Sequence, residues 1–213
     1  MKVERNVSFP TEIEEVKIKH LVEYMKLSDE QKKSDYNILF IFAGEIAKYM
    51  KSEEGKDTAN VLRKLFHNNV DFVQTFEWEG VKYGFNPNLD DNLTLAEYSD
   101  INSLKESGFW ESSHKLATIF YRPITKQIGD DYQIEQYKGI NEKLAKDWLE
   151  LSARIPIGAI GFFLIIQIDL ETTSLLSLKK AQKKELEQTY LANTASTIRS
   201  WFSQIKVIST SRR

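Results

Sequence analysis

The side chains able to do acid–base or metal chemistry are few and scattered. The chain has three histidines, His20, His67 and His114, no two of them within a helical turn, and no cysteine. A metal site would therefore need several ligands brought together by folding, because no two histidines stand at the spacing of a local ligand pair. The lack of cysteine removes disulfides, thiolate ligands and cysteine nucleophiles together, and it fits a reducing compartment. Adjacent acids occur in two loop segments, Asp90-Asp91 and Asp130-Asp131. Paired carboxylates can hold a hard cation or divide acid and base roles, but these lack the alternating oxygen ligands of a calcium loop and stand where Asp serves turns. Gly158 and Gly161 interrupt an apolar run, where close packing explains them better than a phosphate cradle. No serine stands in a nucleophile-elbow pattern. No catalytic, cofactor-binding or metal-binding residue is assigned on these grounds, and the chain reads as non-enzymatic.

Charge and aromatic content point to contacts instead. Lys179, Lys180, Lys183 and Lys184 form the sharpest charge cluster, a candidate nucleic-acid contact that Arg199, Arg212 and Arg213 could extend. Glu185 and Glu187 interrupt it, which favours a solvated helix face. The formal charge of −2 argues against binding nucleic acid through the whole surface, since that mode needs a basic face that releases counterions. Large aromatics are a stronger signal. Trp78 and Tyr83 lie in an alternating segment, and Ile198, Trp201, Phe202 and Ile205 recur at helical spacing near the C-terminus. Both sets are candidate interface residues, because rigid aromatics dominate contact energetics.

These side chains must be positioned by one core of ordinary size. A chain of 213 residues, 41% hydrophobic and 28% charged, suits a single globular domain. The N-terminus lacks the apolar segment of a secretory signal and reads as untargeted. The apolar run 155–166 is broken by Pro156, Gly158 and Gly161, and a membrane span needs about 20 predominantly apolar residues. It is expected to be a core helix, and no membrane association is expected.

The element order follows from periodicity and punctuation. Residues 1–10 form an extended arm ahead of Pro10. Thr11 and Glu14 have capping-box spacing before a helical stripe over 13–27, in which Val16-Lys-Ile-Lys could instead be a short strand. Ser28 with Gln31 repeats the spacing, and 35–51 is a mostly buried helix. Gly55 marks a loop, after which Asp57 or Thr58 caps a helix carrying Val61, Leu62, Leu65 and Phe66. Phe76 and Trp78, then Val81, Tyr83 and Phe85, alternate with polar residues around Glu79-Gly80, which is the pattern of a hairpin over about 75–86 that Pro87 stops. Thr94 and Glu97 cap a helix over 95–104 that Gly108 breaks, and a further helix with Leu116, Ile119 and Phe120 runs until Pro123. Residues 125–139 form an ordered loop or edge strand with a turn at Gly129. Asn141 caps a helix with Leu144, Ala145, Trp148 and Leu149. Pro156 suits the first turn of a central helix over 157–176. The expectation is a mainly α protein with a small antiparallel β-hairpin, an α+β core domain over 11–178, and an amphipathic C-terminal helix with a polar tail over 179–213.

Three stretches carry a resemblance: Tyr83-Gly-Phe-Asn-Pro-Asn-Leu-Asp-Asp-Asn-Leu-Thr-Leu-Ala-Glu-Tyr-Ser-Asp-Ile101, His114-Lys-Leu-Ala-Thr-Ile-Phe-Tyr-Arg-Pro-Ile124 and Ile155-Pro-Ile-Gly-Ala-Ile-Gly-Phe-Phe163. In this order of aromatic hairpin, capped helix, Tyr-Arg-Pro-Ile ending and Pro/Gly-rich apolar helix, the chain resembles a family of small structural or morphogenesis proteins of tailed phages that infect Bacteroidetes, including crAss-like phages. The resemblance covers about half of the chain and carries over no catalytic residue. It implies a repeated subunit of the head, connector or tail apparatus, present in the virion and assembled in the host cytoplasm. Its partners would be other phage structural proteins and further copies of itself. The alternative is a tail assembly chaperone that is absent from the mature particle.

Overall fold

A computed structural model of the chain describes residues 7–50, 52–67, 70–87, 89 and 93–182, with side chains as far as Ile168. The described residues are mainly helical around one small antiparallel sheet. The chain divides into two compact units, Met1–Ile165 and Ile166–Arg213.

Within the first unit, α1 (Ile18–Lys26), α2 (Asp29–Lys33), α3 (Asp35–Ala43) and α4 (Glu53–Leu65) form a helical layer. Its core joins Leu21 and Tyr24 of α1, Ile38 and Leu39 of α3, and Ala59, Leu62 and Leu65 of α4. Val16 and the distant Ala153 close the same cluster. They meet because the Val16-Lys-Ile segment, one of whose two readings was a short strand, makes a single antiparallel bridge, Lys17 with Ser152. Ile18 N–H donates to Leu151 O at 2.9 Å and Ala153 N–H to Val16 O at 2.7 Å.

Ser28 caps α2 through a reciprocal box with Gln31, as expected. Thr11 bonds Glu15, not Glu14, at 2.7 Å ahead of a 3-10 turn at Ile13–Glu15. The helix expected over 35–51 is shorter, since Gly44 adopts φ 54 and ends α3 at Ala43; a 3-10 segment, Gly44–Tyr49, follows. Helix α4 begins earlier than expected and contains Gly55, which is no loop marker. A Cβ at Gly55 would stand 2.2 Å from the Met50 carbonyl oxygen, so glycine is there to let that backbone approach. Replacing a helical glycine by alanine ordinarily stabilises by about 1 kcal/mol. Gly55→Ala should instead lower the unfolding free energy, by about 1–3 kcal/mol in urea denaturation; a gain in stability would contradict the contact.

The sheet has the order β1-β2-β3-β4, formed by β1 (Thr75–Trp78), β2 (Val81–Phe85), β3 (Tyr121–Ile128) and β4 (Asp131–Ile134). The expected hairpin is its first half, paired from Thr75 opposite Gly84 to Trp78 opposite Val81. Glu79 at φ 50 and Gly80 at φ 75 both have the left-handed backbone of a type I′ turn, which matches strand twist. The second half departs from the expected helix up to Pro123. That helix, α6 (Ser113–Phe120), stops at Phe120, and Pro123 lies inside β3 opposite Tyr83. Proline is tolerated because its carbonyl, and so the side its missing N–H would face, points to Glu135 just past the end of β4; Glu135 N–H donates to Pro123 O at 2.9 Å. β4 is the edge strand anticipated for this region. Its Tyr132 ring lies across Gly84, where a Cβ would come within 2.4 Å, and the hydroxyl donates to Phe85 O at 2.8 Å.

Three further helices complete the described residues: α5 (Leu95–Glu106), α7 (Glu142–Asp147) and α8 (Arg154–Gln182). Thr94 and Asn141 cap the first two as expected. Trp148, just past α7, is fully buried beneath the sheet, with its ring 5.5 Å from Phe76 and 5.0 Å from Tyr83. α8 starts at Arg154, so Pro156 falls in its first turn. It is not buried on all sides: Ile155, Ala159, Ile160 and Phe163 face the core while Phe162 and Ile165 are exposed. Gly158 does serve close packing, 2.8 Å from Asp71 O to a would-be Cβ, but Gly161 meets nothing within 4 Å.

Candidate functional site

Two kinds of site can be built from the described residues: a buried polar cluster, and exposed apolar faces. The cluster forms where α5 begins beside the ends of β2 and β3. The Thr94 cap fixes the first turn of α5 and thereby points Glu97, which is almost fully buried, at the sheet. Glu97 Oε2 accepts from Thr94 N–H at 2.8 Å and from Thr94 Oγ1 at 2.7 Å. Its Oε1 pairs with an Arg122 guanidinium nitrogen at 2.9 Å and accepts from Asn86 Nδ2 at 3.3 Å. Arg122 lies 5.7 Å from the centroid of the Tyr137 ring, and Tyr137 Oη donates to Asp100 Oδ2 at 2.6 Å. Burial pushes the Arg122 pKa down against the opposing pull of Glu97, and burial followed by Asp100 pushes the Tyr137 phenol up. Both carboxylate oxygens of Glu97 are thus engaged by donors. The cluster locks α5 to the sheet; its carboxylate has no lone pair directed at an open cleft. Sequence reading found Thr94 and Glu97 as a cap but missed Arg122, whose partner is 25 positions away by numbering and which periodicity placed at a helix end.

The histidines occupy separate settings. His20 accepts from Lys17 N–H through Nδ1 at 3.4 Å and its ring lies tilted against Phe42, with centroids 4.6 Å apart. His67 Nε2 lies 3.1 Å from Tyr24 Oη, and His114 Nδ1 is buried without a hydrogen-bond partner. Among the described residues no group of three or more His, Asp or Glu could hold a metal ion.

Burial, reinforced by Lys19 and Lys17, lowers the His20 pKa from 6.5 to about 4. The unfolded chain therefore gains a proton first as pH falls. The stabilisation from neutral His20 is complete above pH 6.5 and is lost progressively down to about pH 4. Thermal melts should show this loss, and it should flatten in His20→Gln, where a glutamine at the same helix position can still reach the cap N–H. An unchanged acid slope would remove His20 as its source.

The expected contact residues are divided by the structure. Trp78 is half-buried, with its indole N–H buried and unpaired. Tyr83 is a correction: it is buried and stacks on Phe76 at 5.4 Å, because its position in β2 turns it toward the helices covering the sheet. Ile198, Trp201, Phe202 and Ile205 lie outside the described residues, as do Lys183, Lys184, Asp90 and Asp91. Lys179 and Lys180 belong to the last turns of α8. Asp130 stands in the β3–β4 turn, the role expected for it, whereas Asp131 is the first residue of β4, paired opposite Ile128.

Exposed apolar residues occur where none was expected. Tyr36 and Phe40 stand one turn apart on α3 with ring centroids 5.7 Å apart. Leu95, 84% exposed, and Tyr98 flank the capping box on α5, and Tyr49 is 78% exposed. Ile165 on α8 is 60% exposed. The four-residue spacing of Tyr36 and Phe40 was available as a signal, but the unbroken apolar run 38–43 pulled the whole segment toward the core. Compared with family models, curated proteins and solved structures, the chain matches none.

Proposed function

We propose that this chain is a non-enzymatic structural subunit of a tailed-phage particle, a repeated component of the head, connector or tail apparatus that works through protein–protein contacts. The observation that supports this most is the presence of exposed aromatic and aliphatic side chains on three separate helices: Tyr36 and Phe40 on α3, Leu95 and Tyr98 on α5, and Ile165 on α8. Where such exposed apolar groups gather into a patch, they suit contact with another protein. A ring or shell uses several such faces at once, because many weak contacts repeated by symmetry sum to a stable assembly. The engagement of Glu97, Arg122 and Asn86 in bracing the fold agrees with a role that rests on shape.

Mass spectrometry of purified particles tests the reading. The expected result is many copies per particle. Abundance in infected cells with complete absence from particles would favour the tail assembly chaperone, and absence from both would overturn the phage assignment.

A further inference from the structure

The sheet is open, with β1 and β4 as its edges, and an edge strand presents every second N–H and C=O outward. On β1 the hairpin decides which residues these are. Phe85 N–H donates to Gln74 O at 2.9 Å, so Gln74, Phe76 and Trp78 exchange hydrogen bonds with β2, and the backbone groups of Thr75 and Glu77 point the other way. These groups find no backbone partner among the described residues. Phe76 and Trp78 are only half-buried at this edge, whereas Tyr83, opposite Phe76 on the next strand, is buried.

Charge selects what can lie beside β1. On β4 the outward residues are Tyr132 and Ile134, because Glu135 N–H turns inward to Pro123 O. A β4 strand of another copy, placed so that Tyr132 and Ile134 meet Glu77 and Thr75, would set Asp130 against Glu79. Two β4 strands paired through the same residues would set Asp131 against Glu135. Like charges directly opposite each other are destabilising. Two β1 strands, antiparallel about Phe76, avoid this. Glu77 of each copy then stands opposite Thr75 of the other, whose hydroxyl can donate to the carboxylate, and every outward N–H and C=O of the two residues gains a partner. The two Phe76 rings form a closely spaced aromatic pair at the centre.

We propose that β1 pairs antiparallel with β1 of a second copy of this chain, across a twofold axis at Phe76, and joins the two sheets into one. The inference rests on the contact-protein reading above, but its test uses purified full-length protein and does not depend on where the protein resides. Light scattering should show a dimer that dissociates on dilution. Glu77→Pro removes only an outward N–H, so its circular dichroism should match the parent while the dissociation constant rises by at least about tenfold. A second measurement does not depend on how proline is accommodated. The chain has no cysteine, so Thr75→Cys and Glu77→Cys chains, one of them carrying an affinity tag, can be mixed and mildly oxidised. The mixed disulfide should exceed both homodisulfides. Opposed residues of a hydrogen-bonded pair have Cα atoms about 5.5 Å apart, whereas the two copies of position 75 would be about 8 Å apart, beyond disulfide reach. A monomer at every concentration, a folded Glu77→Pro dimer as tight as the parent, or a statistical mixture of the three disulfides would overturn the pairing, whatever the particle analysis shows.

Discussion

Glu97→Ala is expected to lower the unfolding free energy by about 3–5 kcal/mol, the range for removing one partner of a buried ion pair. The side chains of Glu97 and Arg122 are only 2% and 12% exposed, so water cannot replace the lost carboxylate, and the guanidinium is left charged among β3, α5 and the Tyr137 ring. The same change deletes the capping box, which adds about 1 kcal/mol. Removing both charges in Glu97→Leu/Arg122→Met should recover much of the deficit, because the cost of the single variant lies mainly in the orphaned partner. Urea denaturation of the two single variants and the double variant gives the coupling directly. A loss below about 1 kcal/mol for Glu97→Ala would mean that the pair is solvated in solution.

Trp148→Ala should cost about as much, 3–5 kcal/mol, through a different mechanism. The indole is fully buried and fills the space between the helices and the inner face of the sheet against Phe76 and Tyr83. Its N–H has no acceptor, so Trp148→Phe gives up volume and dispersion contacts but no hydrogen bond. The phenylalanine variant is therefore expected to lose about half as much or less. Thermal melts with near-ultraviolet circular dichroism distinguish these cases. Equal losses in both variants would show that a polar contact of the indole matters, contrary to the arrangement described.

What could be recognised beforehand depended on how local its cause was. The capping boxes at Ser28 and Thr94, the Asn141 cap and the Glu79-Gly80 hairpin arise from neighbours within a few residues, and each formed as expected. β3 escaped notice because its cause is distant: Pro123 is admissible in the strand because its missing N–H would face Glu135, just past the end of β4, which depends on where β4 stops. Gly55 misled for the same reason, as nothing adjacent in sequence reveals that the Met50 carbonyl folds back against it. Tyr83 shows the limit for contacts. Alternation correctly placed it on one face of the strand, but which face the helices cover is decided by Trp148 and Phe76. The buried cluster was half visible, since Thr94 and Glu97 are close in sequence while Asn86, Arg122 and Tyr137 converge only after the sheet has formed.

The bridge between Lys17 and Ser152 has a consequence for the order of events during synthesis. Val16 and Leu21 share their cluster with Ala153, so the earliest helices made must wait for residues near the start of α8 before their packing is complete. At about 5–20 residues per second this delay is on the order of ten seconds, during which apolar side chains of the nascent N-terminal half stay available to chaperones and to neighbouring nascent chains. A fragment that ends before Leu151 should consequently remain loosely packed and protease-sensitive, although every residue of α1, α3 and α4 is present in it.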